Sequence, residues 1–162
     1  MEHPIAIANY FIKKSFEDGT ELTPMKLLKL VYIAHGWHLG LTEEPLVGER
    51  VEAWKYGPVI PSVYNEYKSY GNRSISKLAY RFNEGGQFMS PLPDEATTPF
   101  LDEIWEVYKI YNGLQLSTLT HQTGTPWDTV WNRQGGRNIK GAEITNDLIA
   151  AHYKTKTGHV QA

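Results

Sequence analysis

KLLKLVYIAHGWHLGLTEEPLVGERVEAWKYGPVIPSVYNEYKSYG, residues 26–71, is the stretch on which the fold turns. Its first third repeats apolar side chains at helical spacing. Leu27, Leu28, Val31, Ala34 and His38 form one stripe, and Leu30, Trp37 and Leu41 form a second. A helix apolar around so much of its circumference belongs at the centre of a core. The pattern predicts a helix from Pro24 to about Leu39, stopped by Gly40. From Arg50 to Lys55 the period changes to two, which predicts a strand, and Tyr56-Gly57-Pro58 forces the chain out of it. Pro61 then opens a tyrosine-rich helix that carries Val63, Tyr64 and Tyr67 on one face and closes at Gly71.

Working outward, one device marks the other helices. Thr23-Pro24, Thr98-Pro99 and Thr125-Pro126 each put a hydroxyl before a proline. The threonine oxygen accepts an orphan backbone N–H, and proline at the first helical position has none to orphan. Asp128 adds a negative charge at the third position of the last of these helices, near the positive end of its dipole. An opening helix is predicted over Pro4–Phe16. The Pro99 helix sets Phe100, Leu101, Ile104, Trp105, Tyr108 and Tyr111 against Asp102, Glu103 and Glu106. Shorter helices are predicted over Leu116–Gln122, Pro126–Asn132 and Thr145–Lys154. Strand signals are few, with Leu78–Phe82 or Gln87–Met89 as possible partners for Arg50–Lys55. The expected class is therefore mainly α, formally α+β: a compact helical domain over residues 1–155 with a small two- or three-stranded β element. A flexible tail is expected over 156–162.

Composition narrows the function classes. A chain of 162 residues is long enough to bury about two-thirds of its unfolded surface without a staple. It contains no cysteine, which excludes disulfides, thiolate catalysis and cysteine zinc sites. No apolar run approaches the roughly 20 residues needed to span a bilayer. The start, Met1-Glu2-His3-Pro4, lacks the pattern of a secretory leader, so a cytoplasmic protein is expected. With 16 basic and 18 acidic side chains, steering toward nucleic acid is not expected. The acidic stretch Asp94–Glu106 and the basic stretch after Arg133 are either ordinary solvated faces or surfaces that orient a partner.

Catalytic and metal patterns are thin. His35 and His38 lie three apart on a helix, a spacing that can serve one metal, with His121, Glu52 or Asp128 as a further ligand through tertiary structure. The simpler reading is that these histidines pack in or beside the core. Asp102, Glu103 and Glu106 face away from the apolar stripe and lack the burial that acid–base work requires. Ser62 and Ser117 sit near helix starts without a nucleophile elbow. The Gly135-Gly136-Arg137 turn reads as a loop before it reads as an anion cradle. No cofactor is expected.

What remains is a surplus of aromatic groups: ten tyrosines and five tryptophans. One core cannot keep every hydroxyl and indole N–H satisfied away from water, so several belong at the surface, where such groups dominate binding hot spots. Trp54-Lys55-Tyr56-Gly57-Pro58 is the best candidate. Trp54 is expected in the core, whereas Tyr56 is either displayed or caps the next helix. The partner anchors expected are Trp37, Tyr56, Tyr64 and Tyr67, with Asp102 and Glu106 as an orienting acidic rim.

These segments together resemble a known family. Lys29 through His38, then Pro45-Leu46, then Glu52-Ala53-Trp54-Lys55-Tyr56-Gly57-Pro58-Val59 and Val63-Tyr64 are similar to the Panacea domain, also called the SocA-like antitoxin or GepA phage-associated family. Leu101–Tyr108, Leu116-Ser117, Leu119-Thr120-His121 and Thr125-Pro126-Trp127 extend the likeness. It covers about Pro4 to Tyr153 and is weakest over Asn72–Pro93, where partner choice is expected to be written. His35, Trp37, His38 and Trp54–Pro58 carry the family motif. The resemblance implies an antitoxin of a bacterial or prophage toxin–antitoxin pair, with no catalytic residues. It implies neutralisation by direct binding of a cognate toxin encoded nearby. The alternatives are an adaptor that delivers the toxin to a cellular protease, or a metal-dependent hydrolase using His35, His38 and His121.

Overall fold

The Thr23 hydroxyl accepts the Lys26 N–H at 3.3 Å and starts the central helix where the Thr-Pro pair predicts it. The computed structural model describes residues 1–161 of the chain, with side-chain surroundings through Thr157. The elements are α1 (Pro4–Asp18), α2 (Pro24–Thr42), β1 (Val51–Trp54), β2 (Gly57–Val59), α3 (Pro61–Tyr67), β3 (Arg81–Phe82), β4 (Phe88–Met89), α4 (Thr98–Tyr108), α5 (Gly113–Thr120), α6 (Pro126–Asp128), β5 (Glu143–Ile144) and α7 (Asn146–Gln161). The fold is mainly helical with a small antiparallel sheet, as the sequence predicts.

Helix α2 is the hub. Leu27, Leu30, Val31, Tyr32, Ile33 and Ala34 are buried in it, and α1, α3, α4, α5, α7 and β2 pack around it. It does not stop at Gly40. It continues to Thr42 and ends with Glu43 in the left-handed region at φ 64°, the Glu43 N–H donating to the Leu39 carbonyl at 2.9 Å. The glycines have another task. A Cβ on Gly36 would lie 2.2 Å from the Tyr153 ring, and one on Gly40 would lie 2.6 Å from Tyr153 Cβ and 2.9 Å from its carbonyl carbon. They form the notch that lets α7 cross α2. Alanine gains about 1 kcal/mol of helix propensity over glycine. At Gly40 the obstruction is backbone, which no rotamer change relieves, so overpacking wins. Gly40→Ala is expected to lower stability by about 1–3 kcal/mol. A thermal melt checks this, and an unchanged or raised midpoint would mean that α7 yields freely.

The sheet also departs from the simplest reading. β1 pairs antiparallel with β2, Ala53 opposite Pro58 and Trp54 opposite Gly57, and on its other side with β5, Val51 opposite Ile144. Pro58 is tolerated because β2 is an edge strand. The stretches around Phe82 and Phe88 do not join this sheet but pair with each other as a two-stranded arm. α4 begins one residue earlier than the Thr98 cap predicts. Thr97 occupies the cap position without capping the helix, its hydroxyl donating to Glu2 Oε2 at 2.8 Å, and the Thr98 hydroxyl donates to the Glu95 carbonyl at 2.9 Å. Asn112 caps α5 reciprocally with Gln115. α7 is helical through Gln161, and Ala162 lies outside the described residues.

Candidate functional site

Trp54-Lys55-Tyr56-Gly57-Pro58 forms the β1–β2 turn, and its backbone is stapled from behind. Trp127 Nε1–H donates to the Trp54 carbonyl at 2.6 Å, the Ser117 hydroxyl to the Tyr56 carbonyl at 2.8 Å, and Lys29 Nζ to the Pro58 carbonyl at 3.0 Å. Three elements, α6, α5 and α2, thus hold alternate carbonyls of one short turn. Gly57 sits at φ 118°, and a Cβ there would come 2.9 Å from Lys29 Nζ. Glycine is required twice over, by conformation and by the ammonium behind it. The motif is built around a buried lysine, which accounts for its glycine in terms of fold.

The same staples leave the side chains free. Tyr56 is 63% exposed, with Lys55 Nζ 5.5 Å from its ring centroid. Trp54, expected in the core, is half-buried, because the strand turns Val51 and Ala53 inward instead. Its indole N–H donates to Glu52 Oε1 at 2.9 Å, and its ring meets that of Tyr64 edge-on at 4.9 Å. Tyr64 is 37% exposed. These groups wall a cleft of about 490 Å³ with Pro24, Met25 and Leu28 of α2, Val59 of β2 and Lys68. Lys29 also lines it and is 2% exposed, with burial pushing its amine down to about 7.

The other expected anchors lie elsewhere. Tyr67 is 3% exposed, and its hydroxyl donates to Asn9 Oδ1 at 3.2 Å, so it is a core residue and cannot meet a partner. Asn9 in turn holds the base of the arm, its amide donating to the Ala79 and Pro91 carbonyls at 2.9 Å each and its oxygen accepting the Ala79 N–H at 2.8 Å. Trp37 belongs to a separate groove with Leu41, Phe100, Ile104 and Val107, its indole N–H donating to the Tyr108 hydroxyl at 2.8 Å. Asp102 accepts the Tyr10 hydroxyl and pairs with Lys14 at 3.3 Å, and Glu106 pairs with Lys109 at 3.0 Å. Neither carboxylate lines the cleft.

The histidines do not converge. His35 is fully buried. The Val47 N–H donates to its Nδ1 at 3.4 Å, which leaves Nε2 to donate to Asn146 Oδ1 at 3.0 Å. His38 Nδ1 bonds the Glu44 carbonyl at 2.6 Å, and His121 rests edge-on against Trp127. Among the described residues no three His, Asp or Glu side chains are placed to hold a metal. His35 is thus a neutral tie between α2 and the start of α7. Burial lowers its pKa, as it does that of His152. An unfolded histidine titrates near 6.5, so the unfolded chain takes up protons first. The stability of the neutral form is fully present above about pH 6.5 and is lost as pH falls from there through the folded value. Melting temperatures should therefore fall as the pH drops below about 6.5, and more weakly in His35→Gln. Parallel curves for the two proteins would assign the slope to other groups.

Sequence reasoning missed the arm as a source of exposed aromatic groups. Phe82 is 68% and Phe88 64% exposed, with Tyr80 and Met89 beside them, and Tyr80 stacks on Phe88 at 4.3 Å. A hairpin of so few paired residues is marginal on its own, and an uncovered apolar cluster marks an interaction surface. Apolar positions on both sides of Gly85-Gly86 were the available signal.

The family profile described as "Antitoxin SocA-like, Panacea domain" matches residues 27–128, which include the arm and all of the cleft lining except Pro24 and Met25. The chain is 28% identical over 152 residues to "Antitoxin SocA" of Caulobacter vibrioides (strain NA1000 / CB15N), an alignment covering 92% of this chain and 81% of that protein. No solved structure matches. Among the described residues no helix is long and apolar enough to cross a membrane.

Proposed function

The chain belongs to the SocA-like antitoxin family of Panacea-domain proteins, and we propose on that premise that it neutralises a cognate toxin in the cytoplasm by binding it directly, without catalysis. The observation that carries this reading is the stapled β1–β2 turn. Its carbonyls are fixed by Trp127, Ser117 and Lys29, while Tyr56 stands in solvent beside a cleft with apolar walls and lysines. A rigid aromatic side chain costs little further ordering on association, which suits a binding anchor. Tyr56 and Tyr64 are the anchors of this reading, and Trp54 is the wall between them. The aromatic arm around Phe82 and Phe88 supplies a second contact that selects the partner. Trp37, Asp102 and Glu106 are not assigned to the contact.

Co-expression with the adjacent reading frame in a bacterial host tests the reading. The neighbour alone is expected to stop growth, and this protein to restore it while the neighbour stays at full level in a co-purifying complex. Restored growth with loss of the neighbour would replace sequestration with delivery to a protease. A toxic neighbour that is not rescued would remove the proposal.

A further inference from the structure

The cleft beside Tyr56 is basic in a chain of net charge −2. Lys29, Lys55 and Lys68 line it, and no Asp or Glu does. None of the three lysines is in a salt bridge with a carboxylate among the described residues, whereas Lys14, Lys109 and Lys154 each are. Lys55 and Lys68 are exposed at the cleft. Lys29 is buried, and its single hydrogen bond to the Pro58 carbonyl leaves two of three ammonium donors without an acceptor among the described residues. A buried ammonium without a counter-charge is costly, which is why the amine is pushed down to about 7, and an incoming carboxylate would restore its charged form. A positive, donor-rich cleft with apolar walls matches one kind of ligand, an apolar group that carries an anion.

We propose that the cleft receives an apolar or aromatic segment of the toxin that bears an acidic side chain, whose carboxylate pairs with Lys29 at the back and with Lys55 and Lys68 at the mouth. This rests on the docking role given to the cleft above and adds the chemistry that the docked segment must have. Met25, Leu28, Trp54, Val59 and Tyr64 hold the apolar part. A charge-assisted bond in this half-desolvated setting is stronger than a neutral one and sets the register of the segment. A nucleic-acid strand fits less well, because backbone recognition needs a basic track and aromatic platforms in series, and here the basic groups gather in one cleft.

The test uses the full chain with two small probes, 3-phenylpropionate and its neutral amide, each titrated while the Trp54 indole N–H and the Tyr56 and Tyr64 ring signals are followed by NMR. The acid is expected to shift these signals with a Kd of about millimolar, and the amide to bind about tenfold more weakly. That advantage should vanish in Lys29→Met and shrink in Lys55→Gln/Lys68→Gln. Should Lys29→Met fail to fold, the acid–amide comparison and the second variant still decide. Equal binding of acid and amide, an acid preference that survives loss of the lysines, or silence of the cleft toward both probes would each overturn the inference. So would an oligothymidylate that moves the same signals at lower concentration than the acid, which would assign the cleft to nucleic acid. No toxin is present in this experiment, so its failure is separable from failure of the antitoxin reading, which the growth assay decides.

Discussion

Tyr56→Ala/Tyr64→Ala is expected to weaken toxin binding by about 100-fold or more while leaving the protein folded. Interface anchors of this kind cost about 2 kcal/mol or more each on truncation, and about 1.4 kcal/mol is a factor of ten. The fold should survive because neither ring holds the site together. The turn is fixed through its carbonyls by Trp127, Ser117 and Lys29, and Tyr56 is mostly in solvent. Tyr64 gives up an edge-on contact with Trp54, worth about 0.5–1.5 kcal/mol. Titration of each variant with purified toxin, alongside matched circular dichroism and melting curves, checks the result. Unchanged affinity in a folded double variant would move the docking surface off the cleft.

Trp105→Ala is expected to have the largest effect on stability. Trp105 is completely buried on the inner face of α4, its ring 6.2 Å from that of Phe11 on α1. Its indole N–H donates to Asp18 Oδ2 at 2.8 Å, near the end of α1, and Lys26 Nζ lies 5.8 Å from its ring centroid. The residue therefore ties α1, α2 and α4 together by packing and by one polar bond. Removing the ring leaves a cavity and costs about 3–5 kcal/mol, against total stabilities of about 5–15 kcal/mol for domains generally. At this chain length that is a fall of roughly 6–20 °C in melting temperature. Urea denaturation read by circular dichroism checks it, and a loss under about 1 kcal/mol would mean that the neighbours collapse into the gap. Because the lesion is remote from Tyr56, any loss of neutralisation here should track the unfolded fraction, unlike that of the tyrosine variant.

Local chemistry was legible and crossing geometry was not. Thr23 and Thr125 announce their helices because cap, proline and first turn lie within a few residues of each other. The apolar circumference of α2 correctly placed it at the centre. Gly40 reads as a stop by the same local rules, yet its reason is Tyr153 on a helix more than a hundred residues away. β5 pairs only two residues with β1 and has no periodicity to detect. In the site, Tyr56 and Tyr64 do come together, because the Gly-Pro turn aims the strand at the next helix. Tyr67 lies three residues beyond Tyr64, but its face meets Asn9, and nothing in the tyrosine pattern separates the two. His35 and His38 share the metal spacing, but one spends both nitrogens inside the core and the other reaches the Glu44 carbonyl.

The central claim is that the toxin is held, not processed, and calorimetric titration of the purified toxin into this protein tests it most directly. The account predicts saturable binding with a Kd of about micromolar or tighter, the range that interfaces of standard size span, together with loss of toxin activity in a purified assay that contains no protease. A toxin silenced in cells that shows no heat of binding and keeps its activity beside the purified protein would contradict it.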